Sequence, residues 1–125
     1  MTKQEQDAID YYIDMCYKSV NECLQSTKPF IELPGVETCV WLCTIFLEKC
    51  KTFRIHYKNN SGSKLKSLDV CINACQVCLN HCAKHGNAEL KESIKACWLW
   101  IKECEAVLRG KSVDLQQSVL SASLA

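Results

Sequence analysis

Cys71-Ile-Asn-Ala-Cys75-Gln-Val-Cys78-Leu-Asn-His-Cys82-Ala-Lys-His85 carries four cysteines at steps of four, three and four, with a histidine three residues further on. An α-helix turns once every 3.6 residues, so these steps hold Cys71, Cys75, Cys78, Cys82 and His85 on one face. A bundle helix normally places Leu or Ile there. A core seam built of sulfur is expected to serve a soft metal.

The same spacing recurs on both sides of this stretch. Ile9, Ile13, Cys16, Val20 and Cys23 predict an amphipathic helix over about 4–27, and Val36, Cys39, Cys43, Phe46, Cys50 and Phe53 predict a second over about 36–57. Lys28-Pro29 and Leu33-Pro34-Gly35 break the chain between them, so Phe30 to Leu33 is read as a connector or short turn. Asn59-Asn60-Ser61-Gly62-Ser63 makes the next polar turn. The third helix runs over about 64–85, with Leu68 leading into the cysteine stripe and Gly86-Asn87 read as its C-cap. Leu90, Ile94, Cys97, Ile101, Cys104 and Leu108 mark a fourth, from about Ala88 to just before Gly110. Four helices, each about 30 Å long and joined by short loops, predict an all-α, up-down-up-down four-helix bundle over 1–110. Residues 111–125 form a tail low in charge, read as a frayed end, or as a short helix through Val113, Leu115, Val119 and Leu120 docked on the bundle or a second subunit.

Composition narrows the chemistry. The chain has 125 residues, enough to bury a core without a crosslink, and eleven cysteines, an odd number that forbids complete internal pairing. Secreted disulfide scaffolds are rich in turns, whereas this chain has four Gly, two Pro and long helix-period stretches. The N-terminus is polar and acidic, with no basic and apolar leader pattern, so export is not expected and the cysteines are read as reduced and cytoplasmic. The longest largely apolar run, Val40 to Leu47, is far shorter than the roughly 20 residues of a spanning helix, so no membrane segment is expected. A formal charge of +1 with two scattered Arg offers no basic stripe for nucleic acid.

All eleven cysteines fall on the inward stripes: Cys16 and Cys23; Cys39, Cys43 and Cys50; Cys71, Cys75, Cys78 and Cys82; Cys97 and Cys104. One or two buried thiols need no function, since cysteine packs as a small hydrophobe. Eleven along one axis give up burial energy that Leu or Ile would supply, roughly 0.8 kcal/mol per missing buried CH₂. Neighbours at i,i+4, such as Cys39 with Cys43, face each other one turn apart and could share an ion. Soft thiolates favour Cu(I), zinc or iron-sulfur clusters. Structural zinc wants four tetrahedral ligands and a cluster wants four cysteines around a compact cage, and a long linear stripe suits neither as well as a row of low-coordinate Cu(I) sites. Binding deprotonates the thiols, so affinity should fall in acid.

Other residues receive plainer readings. His85 extends the stripe and is a candidate ligand, or else a partner of the helix C-terminus. His81 and His56 are read as solvated, and Met15 as a core filler rather than a thioether ligand. Trp41, Trp98 and Trp100 are expected on the outer flanks of the bundle or at a subunit interface. No Ser-His-Asp, P-loop, dinucleotide or paired-carboxylate pattern is present, so no enzyme is expected.

The Cys-x3-Cys-x2-Cys-x3-Cys-x2-His run, with cysteines on the other three helices, resembles the cysteine-rich four-helix-bundle copper-storage proteins of bacteria. The likeness reaches to about Arg109, and the lack of an export signal makes it the cytosolic type. The resemblance implies many Cu(I) ions held by core thiolates, and a homo-oligomer, a tetramer in that family. Helix three matches fully, helix two through Cys39, Cys43 and Cys50, and helix one through Cys16 and Cys23. Helix four departs, with Leu90, Ser93 and Trp100 around Cys97 and Cys104 where members often carry closely spaced cysteines, which implies fewer copper ions. The alternatives are a redox or iron-sulfur protein, and a metal-free structural or partner-binding bundle.

Overall fold

The protein was analysed as a computed structural model, which describes residues 2–85 and 88–110, with His85 described in its backbone alone. The expected C-cap at Gly86-Asn87 and the tail 111–125 lie outside the described residues.

Thr2 opens the first helix, α1 (Lys3–Thr27). Its hydroxyl accepts from the Glu5 amide at 3.1 Å and donates to the Glu5 carboxylate at 3.2 Å, so a side chain satisfies a donor the helix leaves unpaired. Pro29 falls in a single 3-10 turn, Lys28–Phe30, that closes α1. Gly35 then takes φ 83°, a left-handed conformation that costs glycine nothing, and starts α2 (Val36–Lys58). At the next turn Asn60 has φ 51° and the Ser61 amide donates to His56 O at 2.9 Å. Beyond it runs α3 (Lys64–His85), and α4 (Ala88–Arg109) follows. Gly110, at φ 70°, caps α4 through its amide to Val107 O at 3.2 Å.

The described residues form four helices and no strand, an up-down-up-down bundle as expected. α2 packs most extensively on α3 and α1 on α4, whereas α1 and α2 meet more sparsely. Polar ties stitch that sparse seam. The Tyr17 hydroxyl donates to Leu47 O at 2.8 Å, and Arg54 pairs with Asp14 and donates to Asp10 O at 3.4 Å.

One end of the interior is hydrocarbon. Ile9, Phe53, Tyr57 and Leu68 are buried together where α1 and α3 begin and α2 ends, with the Phe53 and Tyr57 ring centroids 6.1 Å apart. Phe53→Ala is expected to cost about 3–5 kcal/mol by leaving a cavity here, measured as the free energy of unfolding in urea.

Several side chains sit elsewhere than their residue types suggested. Met15 is half-buried beside the inward stripe of α1 and does not fill the core, because the stripe passes through its neighbour Cys16. Trp98 and Trp100 do pack on the flanks of the core, but Trp41 is 62% exposed. No helix among the described residues is long and apolar enough to cross a membrane.

Candidate metal centre

The inward stripes bring every cysteine into the interior. All eleven are free thiols and all are buried, nine of them at 0 or 1% exposure; Cys39 reaches 2% and Cys23 6%. These two lie at the end of the bundle where α1 runs into α2, opposite the hydrocarbon end.

The register of α2 against α3 decides which sulfurs meet. The tightest pair is Cys50 with Cys71, whose Sγ atoms are 3.3 Å apart. Toward the other end, the Cys43 thiol has those of Cys78 and Cys82 as neighbours, and Cys39 has Cys82. Between α1 and α4, Cys16 faces Cys97, and each of the two sulfurs lies 3.9 Å from the other residue's carbonyl oxygen. Every one of these pairs crosses from one helix to another. Cys75 sits midway along α3, with its sulfur 3.7 Å from Ile94 O.

The arrangement suppresses ionisation. The Cys16 thiol is held far above its usual range by its hydrogen bond to Cys97 and by burial, and that of Cys50 by its bond to Cys71 and by burial. For Cys43 the bond to Cys78 leads, and for Cys82 the bond to Cys43. Burial is the first cause at Cys75 and Cys104, with the fields of Cys16 and Cys71 adding to it. Cys39, nearer the surface, is pushed up to about 12, chiefly by burial. A thiolate in a dry interior lacks the solvation it has in water, and a neighbouring thiolate repels it. At neutral pH the interior therefore holds protons on Cys16, Cys39, Cys43, Cys50, Cys75, Cys82 and Cys104.

Cys23 keeps different company. Its sulfur is 3.9 Å from Glu89 O and 4.0 Å from Glu89 Oε1, burial raises its thiol, and a hydrogen bond with Ser93 offsets part of that rise. Ser93 in turn hydrogen-bonds to Ser19 across α1 and α4. Among the described residues, no three His, Cys, Asp or Glu side chains are close enough to hold one ion together. Cys39, Cys43, Cys78 and Cys82 are neighbours toward the loop end, and Cys50 with Cys71 and Cys16 with Cys97 meet further along the axis, so the thiols form a row of soft donors running along the bundle.

The model of the copper storage protein family matches residues 1–109. The chain belongs to that family. The match takes in all four helices and every cysteine, so the thiol chamber coincides with the segment that defines the family. Copper storage proteins take copper as their ligand and are not an enzyme family. No curated protein sequence and no solved structure matches the chain.

Helical spacing alone set the cysteines on common faces but did not show which sulfurs meet across helices. The two expected solvated histidines are corrected as well. His81 Nε2 lies 3.1 Å from Gly35 O, tying α3 to the start of α2, and His56 Nδ1 is 2.8 Å from the Ser67 hydroxyl, tying α2 to the start of α3. Gly35 O, which also accepts from the Cys39 amide at 3.0 Å, has a second lone pair to offer the His81 ring. The side chain of His85, the twelfth candidate ligand, lies outside the described residues. Ser93, four residues before Cys97, does fall on the inward period of α4, whereas its bonds to Cys23 and Ser19, and the place of Glu89 beside Cys23, depend on the packing of α1 against α4.

Proposed function

We propose that this chain is a cytoplasmic Cu(I) store that binds several ions through its core thiolates and performs no catalysis. The observation that carries this reading is the set of eleven buried free thiols, eight of which face another sulfur across helices along one axis. Cu(I) is the soft cargo that low-coordinate sulfur favours. Cys16, Cys23, Cys39, Cys43, Cys50, Cys71, Cys75, Cys78, Cys82, Cys97 and Cys104 are the proposed ligands, with His85 at the end of the α3 stripe. Each ion taken up displaces protons from thiols that burial keeps protonated, so retention weakens in acid.

Entry is proposed at the α1–α2 loop end, where the least covered thiols, Cys23 and Cys39, stand. The opposite end is closed by Ile9, Phe53, Tyr57 and Leu68. A reduced compartment suits eleven unpaired cysteines, which supports the cytoplasmic assignment. Exposed Trp41 and Leu99 supply apolar surface for a homo-oligomer, a tetramer by family resemblance.

Anaerobic titration with Cu(I) against a strong competing chelator tests the reading. Several equivalents are expected to be withheld from the chelator, with reactive thiols disappearing in step. Uptake of one equivalent or none would overturn it.

A further inference from the structure

The thiols fall into two groups along the bundle axis, on either side of the level of the buried Phe46. The Cys50–Cys71 contact fixes the antiparallel register of α2 on α3, which sets the buried Cys43 level with Cys78 and Cys39 level with Cys82, an upper group toward the α1–α2 loop carried wholly by α2 and α3. Nearer the hydrocarbon end, Cys50 touches Cys71, and Cys16 and Cys97 each place the sulfur 3.9 Å from the other's carbonyl oxygen. The field of Cys71 reaches Cys16, those of Cys16 and Cys97 reach Cys50, and those of Cys16 and Cys71 reach Cys104, which makes these five a lower group.

Hydrocarbon fills most of the space between the groups. On α2 the inward position between Cys43 and Cys50 is Phe46, fully buried. On α1 Val20 stands above Cys16, and on α4 Ile94 stands above Cys97, both fully buried. The fourth wall differs, because α3 carries Cys75 one turn from Cys71 and one from Cys78. Its thiol feels Cys16 and Cys71 of the lower group and Cys43 of the upper one.

We propose that Cys75 is the relay through which Cu(I) passes between the upper and lower thiol groups. The inference rests on reading the chamber as a Cu(I) store. Without solvent to carry the ion, each move is an associative ligand exchange. A bond forms from copper to the Cys75 sulfur while a bond to Cys43 or Cys78 breaks, and the proton leaving the Cys75 thiol goes to the sulfur released. The same exchange then hands the ion to Cys71 or Cys16. Copper remains Cu(I) throughout, and the charge in the dry interior stays constant. Phe46, Val20 and Ile94 offer no donor by which the ion could bypass this step.

The test follows Cu(I) uptake from a chelator complex over time, with rapid acid-quenched thiol alkylation and peptide mapping to show which cysteines are protected at each moment. Cys75→Ser and Cys75→Val are compared with Cys104→Ser, which likewise removes a single thiol, from the lower group, but leaves the crossing intact. In both Cys75 variants the upper cysteines should be protected at the rate seen in the unaltered protein. Protection of Cys16, Cys50, Cys71 and Cys97 should slow by about tenfold or more, the effect of one lost exchange partner on a barrier. Cys104→Ser should lose a similar share of capacity with no slowing. Two polarities at position 75 guard against a variant that does not fold, which circular dichroism would reveal. Equal slowing in Cys104→Ser, or unchanged filling of the lower cysteines in a folded Cys75 variant, would overturn the relay. If the unaltered protein took up no Cu(I), the storage reading would fall instead.

Discussion

Raising the pH of the copper-free protein is expected to unfold it within about two units above the pKa of a free thiol, roughly 8.5, and copper loading is expected to abolish that transition. Six enclosed thiols, Cys16, Cys43, Cys50, Cys75, Cys82 and Cys104, are held well above that value in the folded chain. Folding therefore stabilises their protonated form. The unfolded chain begins to shed these protons near pH 8.5 while the folded chain keeps them, so stability is full below that pH and drains away as pH rises toward the folded values. One unit above 8.5 each such thiol has cost about 1.4 kcal/mol, or about 8 kcal/mol for the six. A whole domain is typically stable by only about 5–15 kcal/mol. Tyr12, Tyr17 and Tyr57, also raised by burial, add to the loss at higher pH. Far-ultraviolet circular dichroism and thiolate absorption should change together in one cooperative step. In the loaded protein the sulfurs have already lost their protons to copper, so the step should vanish. A copper-free bundle whose urea midpoint is the same at about pH 10.5 as at neutrality would contradict this account.

Why the helices were legible in the sequence and the sulfur pairs were not follows from what sets each. Cysteine behaves as a small hydrophobe, so Cys71, Cys75, Cys78 and Cys82 report the helix face as Leu would, and the breakers at Pro29, Pro34 and Gly62 divide one helix from the next. Helix bounds follow from those local signals. The meeting of Cys50 with Cys71 depends on how far α2 slides along α3, which is set by the geometry of the 59–63 turn and by packing around Phe46 and Phe53. No spacing along a single helix contains that information. Met15 and the two bonded histidines show the same boundary. A half-turn off the stripe, a side chain's neighbours belong to another element, and its residue type says little about them.

Changing Cys71, Cys75, Cys78 and Cys82 together to Val is expected to remove most of the copper capacity, far more than four thiols would account for. The reason lies in the pairing. Three thiols of α2, Cys39, Cys43 and Cys50, have their sulfur neighbours on α3, so the change strands all of them and leaves Cys16 facing Cys97 as the one such pair described above. Val is apolar and close to Cys in size, so the bundle should keep its helical signal, within the roughly 1–3 kcal/mol that overpacking can cost. The decisive comparison is a second variant that also loses four thiols, Cys16, Cys23, Cys97 and Cys104 to Val. It removes one bonded pair and leaves the α2–α3 array whole. Under chelator competition it should retain most of its Cu(I), while the α3 variant retains little. If the two lost copper equally, capacity would follow the number of sulfurs and not their arrangement, and the cross-helix pairs would have no part in holding the metal. If the α3 variant kept its full load, the assignment of the thiol chamber itself would fail.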